Sequence, residues 1–213
     1  MSCRDCEGIE RQFDRRKAAK QLSRFRRRGP IAGTRRLIGQ LQASLRSGDS
    51  LLDIGGGVGS IHHVLLDEGV GNAVHLDASS AYIDVARDEA GRRGHADRVQ
   101  FVHGDFVAVA DQIPAADIVT LDRVICCYPD METLVSRAAE KTRHVLGAVY
   151  PRDTWWVRVG IALENTLSRV RRSAFRVYLH SPQAIEARLA TSGFRRASHA
   201  RSLAWEIATF ERT

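Results

Sequence analysis

The chain has few cysteines and no long apolar run, and its first quarter has little acid. Four cysteines among 213 residues, two of them adjacent, do not form a secreted disulfide framework. No apolar run is long enough to span a bilayer, and the basic, polar start lacks the apolar core of a secretory signal. A cytoplasmic protein is expected. There is no internal repeat, low-complexity tract or second-domain boundary. The 213 residues read as one domain, large enough for a full α/β core. Residues 1–48 hold 13 Lys and Arg against 4 Asp and Glu, whereas the rest of the chain holds 19 against 21. The net charge of +7 therefore belongs to the N-terminal arm, which suits either a solvated Arg-rich helical face or an anionic partner.

Glycine, by contrast, is concentrated in one place. Leu51-Leu52-Asp53-Ile54 ends a buried strand, Gly55, Gly56, Gly57 and Gly59 make a turn, and Ile61–Leu66 opens a helix. Such a turn needs positive φ, lets a ligand approach the backbone, and presents the free N–H groups of a helix start. The dinucleotide fingerprint is absent, because Ser60 stands where the third glycine of G-x-G-x-x-G would fall. The pattern present is an acid, one residue, then Gly-x-Gly-x-Gly.

From residue 50 onward, strands and helices alternate, as in a parallel sheet covered on both faces. Strands are expected at 50–54, 73–76, 99–102, 117–121 and 145–150, with a closing hairpin at 195–201 and 203–210. Residues 1–48 form a helical arm, with one helix over 11–28 and a second that Thr34 caps. Residues 154–172 form an inserted amphipathic segment whose stripe of Trp155, Trp156, Val159, Leu163 and Leu167 must bury itself against something. Asp53, Asp77, Asp105 and Asp122 fall at or near the ends of the first four strands, where a doubly wound sheet binds its ligand.

Asp53 with its glycines, followed by Asp77, resembles motifs I and II of the class I S-adenosylmethionine (SAM)-dependent methyltransferases. The resemblance covers roughly residues 48–210. It implies a Rossmann-like, doubly wound sheet of seven strands, mostly parallel with one antiparallel strand in the C-terminal hairpin, and SAM as cofactor. Carried over by position, Asp53, Gly55, Gly56, Gly57 and Gly59 form the loop around the methionine and ribose. Asp77 accepts the ribose hydroxyls, Ala78, Ser79 and Tyr82 flank the adenine, and Asp105 with Phe106 reads its edge. Asp122 and Arg123 line the methyl-transfer mouth. Within the class, the arm before the loop and the run Leu121-Asp122-Arg123-Val124-Ile125-Cys126-Cys127-Tyr128-Pro129-Asp130 resemble magnesium-protoporphyrin O-methyltransferase-like proteins. That likeness implies a small, partly apolar acceptor methylated on oxygen.

Transfer from a sulfonium is an in-line displacement, so positioning supplies most of the catalysis. Tyr128, Asp122 and Tyr150 are the candidates near the mouth, with His103 and His180 behind them. An RNA methyltransferase using the basic arm is a rival reading, though no Asn-Pro-Pro-Tyr-type motif for a flipped base is present. A SAM-binding protein without catalysis is another. Cys3-x-x-Cys6 and Cys126-Cys127 suggest a zinc site, but adjacent ligands fit a tetrahedron poorly, so no metal is expected. His62 and His63, adjacent on a helix, are read as ordinary surface or packing residues. The arm and residues 154–172 are expected to meet as a lid over the acceptor.

Overall fold

In the computed structural model, which describes Gly8 and residues 10–213, the chain builds one seven-stranded sheet with helices on both faces. The elements in chain order are α1 (Arg15–Arg28), α2 (Ala32–Gln42), β1 (Ser50–Ile54), α3 (Ser60–Asp67), β2 (Asn72–Asp77), α4 (Ser80–Arg93) and β3 (Val99–His103). There follow α5 (Phe106–Val109), β4 (Ala116–Asp122), α6 (Met131–Glu140), β5 (Thr142–Pro151), α7 (Trp155–Val170), α8 (Pro182–Thr191), β6 (Phe194–Arg201) and β7 (Trp205–Arg212). The strand order is β3-β2-β1-β4-β5-β7-β6, and β7 alone runs against its neighbours. The order reverses between β1 and β4, so the crevice for a ligand opens at their carboxyl ends.

Burial explains the strand pattern. Leu52, Ile54, Val119, Leu121, Leu146 and Ala148 face one core, which α6 and α8 cover with Leu134, Val135, Ile185 and Leu189. The alternate residues Leu51, Ile118, Val145 and Val149 face the other core, closed by Leu37, Ile38 and Leu41 of α2 and Ile61 and Leu65 of α3. Continuous apolar runs in the central strands follow from cover on both sides.

Two expectations about the arm need correction. The helix expected over 11–28 is interrupted: Arg11 and Gln12 are helical, the chain bends at Phe13, and Asp14 then accepts the Lys17 N–H to cap a new helix from Arg15. Thr34 is no cap: it lies inside α2, buried, and donates its hydroxyl to the Asp122 carboxylate. The arm is anchored to the domain. Ala18, Leu22 and Phe25 pack on Val58 and Tyr82, and Arg26 pairs with the buried Glu89 of α4. Burial alone would raise the Glu89 pKa, but bonds from Arg92, Arg93 and Arg26 hold this carboxyl below its ordinary range.

Candidate functional site

The loop between β1 and α3 turns through left-handed backbone at Gly55, Gly57 and Gly59, with φ of 62°, 58° and 80°. A Cβ at Gly55 would stand 2.4 Å from a Val124 methyl carbon, so glycine also lets the loop lie against the segment after β4. The Gly57 N–H donates to Asp77 Oδ2 at 2.9 Å, and the Ser79 N–H donates to Asp77 Oδ1 at 2.8 Å. Asp77 is buried, and desolvation raises its pKa from 3.8 to about 6 despite these two bonds.

Above the loop lies a cavity of about 750 Å³. Asp53, Gly55, Gly56, Gly57, Asp77, Ala78, Tyr82, Asp122 and Arg123, all expected from the sequence, line it. Gly59 and Ser79, also expected there, do not line it. Ser79 caps α4 and bonds the Phe13 carbonyl at 2.6 Å, which ties the segment before α1 to the cavity rim. Asp105 and Phe106 do not line the cavity. Asp105 caps α5 and accepts the Tyr128 hydroxyl at 3.2 Å, while Phe106 belongs to the core under β2 and β4.

Of the three catalytic candidates, Asp122 reaches the cavity and Tyr128 and Tyr150 do not. Tyr150 points into the core between β5 and α8, and burial raises its pKa. Arg123 adopts φ of 61°, a conformation that β-carbon-bearing residues seldom hold and that clusters at functional sites. Its guanidinium bonds Asp122 at 3.1 Å. His103 lies exposed at the end of β3 and bonds the Ala78 carbonyl, and His180 bonds the Tyr128 carbonyl.

Phe13, which the arm's apolar stripe contains, lies on the far wall just before α1, beside groups that the sequence reading missed: Gln12; Val157, Gly160, Ile161 and Glu164 of α7; and Phe175 and Val177 after it. Phe13 meets the Tyr82 ring at 5.8 Å and the Phe175 ring at 5.6 Å, edge to face. The signal was present as helical spacing, since positions 157, 160, 161 and 164 share one face of α7. Of the stripe chosen from the sequence, Trp156 lines the cavity and the rest lies on the other face. Trp155 and Leu163 are 72% and 67% exposed, so that apolar row points outward, because α7 touches the body along one narrow seam.

Cys126 and Cys127 line the cavity with Sγ atoms 3.9 Å apart. The contact between the two thiols, together with burial, pushes the Cys126 thiol up, and the same contact pulls Cys127 down. Cys3 and Cys6 lie outside the described residues. The two adjacent histidines also depart from expectation. Both are fully buried, their ring centroids are 4.2 Å apart, and they join His75 and His95 beneath the glycine loop. Burial pushes His63 down to about 2 and His75 to about 3, so both are neutral. His75 was legible as a lone polar residue in the apolar strand Ala73–Leu76.

With this geometry in place, the comparisons agree. Residues 52–144 match a family of methyltransferase domains. No curated protein matches the sequence. The magnesium protoporphyrin IX methyltransferase of Synechocystis PCC 6803 with bound SAH is similar in structure, with TM-score 0.73 at 18% identity over 98% of this chain and 100% of that one. The same enzyme with bound SAM gives 0.70 at 18%, covering 100% and 99%. The mitomycin 7-O-methyltransferase gives 0.61 at 24%, covering 83% of this chain and 53% of that one. The glycine loop, the sheet order and the matched domain together define a class I SAM-dependent methyltransferase. Its cofactor is SAM, and the loop and Asp77 fit that ligand: backbone open at three glycines and a buried acid with lone pairs to spare. Among the described residues no helix is long and apolar enough to cross a membrane.

Proposed function

We propose that this enzyme transfers the methyl group to an oxygen of a small, partly apolar acceptor. The observation carrying this reading is the two-sided cavity, with the cofactor loop on one wall and Phe13, Trp156, Val157, Ile161 and Phe175 on the other. SAM supplies an activated methyl group on a sulfonium. Asp77 accepts the ribose hydroxyls with the lone pairs its two backbone donors leave free. Ala78, Ser79 and Tyr82 flank the adenosine, with Asp105 as the outer candidate for the adenine edge. Gly55, Gly56 and Gly57 admit the methionine end.

Around the acceptor, Asp122 takes a proton if the nucleophile arrives as a hydroxyl, and Thr34 and Arg123 hold that carboxylate in place. A carboxylate acceptor needs no base, and the Arg123 guanidinium then orients it as a planar fork. The name of one structural neighbour, the mitomycin 7-O-methyltransferase, supports oxygen as the acceptor atom. The segment before α1 and the inner face of α7 act as a lid that excludes water from the transfer. Tyr128 steadies Asp105, and Tyr150 is a packing residue.

The test is release of S-adenosylhomocysteine from SAM across a panel of small carboxylic acids, phenols and alcohols, with total RNA as a separate arm. A small molecule that gains one methyl on oxygen supports the proposal. Methylation of RNA alone would transfer the role to the basic arm.

A further inference from the structure

Under the glycine loop, three buried side chains present donor atoms to one another. His62 Nδ1 lies 3.1 Å from His75 Nδ1 and 3.4 Å from Asp53 Oδ2. The three come from α3, β2 and β1, and all are at most 1% exposed. We propose that Asp53, His62 and His75 form a binding site for one divalent transition-metal ion, with zinc the first to test.

The spacings carry the proposal. Ligands about 2.0–2.1 Å from a tetrahedral ion stand about 3.3 Å apart along each edge. The two measured separations, 3.1 and 3.4 Å, fall on either side of that edge. Room for the ion exists because residue 56 has no side chain. The position a Gly56 Cβ would take lies 2.5 Å from His75 Nδ1 and 2.8 Å from Asp53 Oδ2. Asp53 and Gly56 also line the cofactor cavity, which gives an ion a route inward and a remaining coordination position facing the loop.

Hydrogen bonding alone does not satisfy the cluster. Two Nδ1 atoms that face each other share one proton, so one ring must carry its hydrogen on Nε2. Neither the His62 nor the His75 Nε2 has a partner. Both Nδ1 atoms can instead donate lone pairs to an ion, which gives the two rings the same role. The surrounding histidines support that arrangement. His95 Nε2 bonds Asp67 at 3.0 Å, and His95 Nδ1 faces His63 Nδ1 at 3.1 Å. If His95 donates to the Asp67 carboxylate, it accepts from His63, whose Nε2 is left bare. That bare nitrogen and His62 Nε2 both border the space where a Gly59 Cβ would stand, at 2.9 and 2.6 Å. Metal binding at Nδ1 would place a proton on His62 Nε2, on the side of the cluster where His63 Nε2 keeps a lone pair; no hydrogen bond joins these two nitrogens. Two neutral imidazoles and one carboxylate suit zinc or another first-row divalent ion.

The experiment uses full-length protein without a histidine tag, stripped with a chelator and titrated with Zn²⁺ and Co²⁺. One ion per chain is expected, with four-coordinate visible bands for Co²⁺. X-ray absorption of the zinc form should show nitrogen and oxygen near 2.0–2.1 Å and no sulfur near 2.3 Å. His75→Phe should weaken zinc by at least about 100-fold, whereas Cys126→Ser/Cys127→Ser and Cys3→Ser/Cys6→Ser should leave it unchanged. Failure of the wild-type protein to bind stoichiometric zinc, or a sulfur-containing shell, overturns the proposal whether or not the histidine variant folds. Undiminished affinity in a folded His75→Phe protein overturns it as well.

Discussion

Asp77→Asn separates the structural cost of the motif II acid from its value to the cofactor. The carboxyl is buried, and its pKa is raised from 3.8 to about 6. Because the folded value lies above the unfolded one, the folded chain holds the extra proton between those limits. Stability is thus full below about pH 3.8 and falls as pH rises through about 6. The whole shift is worth about 3 kcal/mol, of which about 2 kcal/mol falls between pH 4.5 and pH 7.5. Asparagine does not titrate, so the variant gains on the wild type by that amount across the same interval. Its single oxygen can serve only one of the two N–H donors, Gly57 or Ser79, which costs about 1–3 kcal/mol at every pH. The variant should therefore be clearly less stable than wild type at pH 4.5 and near parity at pH 7.5. In a protein of this size the gap between melting midpoints should change by about 4–8 °C. Thermal unfolding of both proteins at the two pH values measures it, and titration calorimetry with S-adenosylhomocysteine reads the functional side, where affinity should fall at least about tenfold. A gap between midpoints that does not move with pH would refute the burial argument. Unchanged affinity for S-adenosylhomocysteine would refute Asp77 as the ribose acceptor.

Two more outcomes follow from the same region. His63 and His75 are held neutral, at about 2 and about 3 against 6.5 unfolded, so their contribution is intact above pH 6.5 and is lost as pH falls. In chelator-treated protein, two histidine protons offset by the one Asp77 holds give a slope of about 1.4 kcal/mol per pH unit between about pH 6 and 4. His75→Phe should abolish that slope in urea titrations, and an unaltered slope would show that the ring is not kept neutral. Removal of residues 1–28 strips Phe13 from between Tyr82 and Phe175 and Arg26 from Glu89. Methyl transfer should collapse. Phe13→Ala, which leaves α1 in place, should lower turnover by about 3- to 20-fold, on the scale of one or two aromatic pairs. Turnover unchanged in both would mean that the arm is no lid.

The cofactor half of this enzyme was readable in one dimension. Asp53 and its glycines, Asp77, and the alternation of apolar strands with helices are local patterns. Each works through its neighbours in sequence: positive φ at Gly55 and Gly57, or a carboxylate that ends a strand beside a helix start. Such signals survive without knowledge of what lies across the fold. The alternation pointed to a parallel sheet, and the one antiparallel strand followed from the family resemblance that the glycine loop and Asp77 carry.

What escaped the sequence depends on contacts between distant segments. Periodicity identified α7 as amphipathic but did not say which face turns inward, because two apolar rows were available and only the helix's place across the cavity, held by Asn165 on Val177, selects one. Thr34 looked like a cap until α2 placed it against Asp122, 88 positions away. The two neighbouring histidines looked ordinary because their partners, His75 and His95, are 13 and 32 residues away and reach them only once β2 and α4 pack against α3. Local chemistry written along the chain determined the fold and the cofactor. The far wall of the cavity and the buried histidine cluster were decided by tertiary packing, since each is made of side chains that share a volume and no sequence spacing.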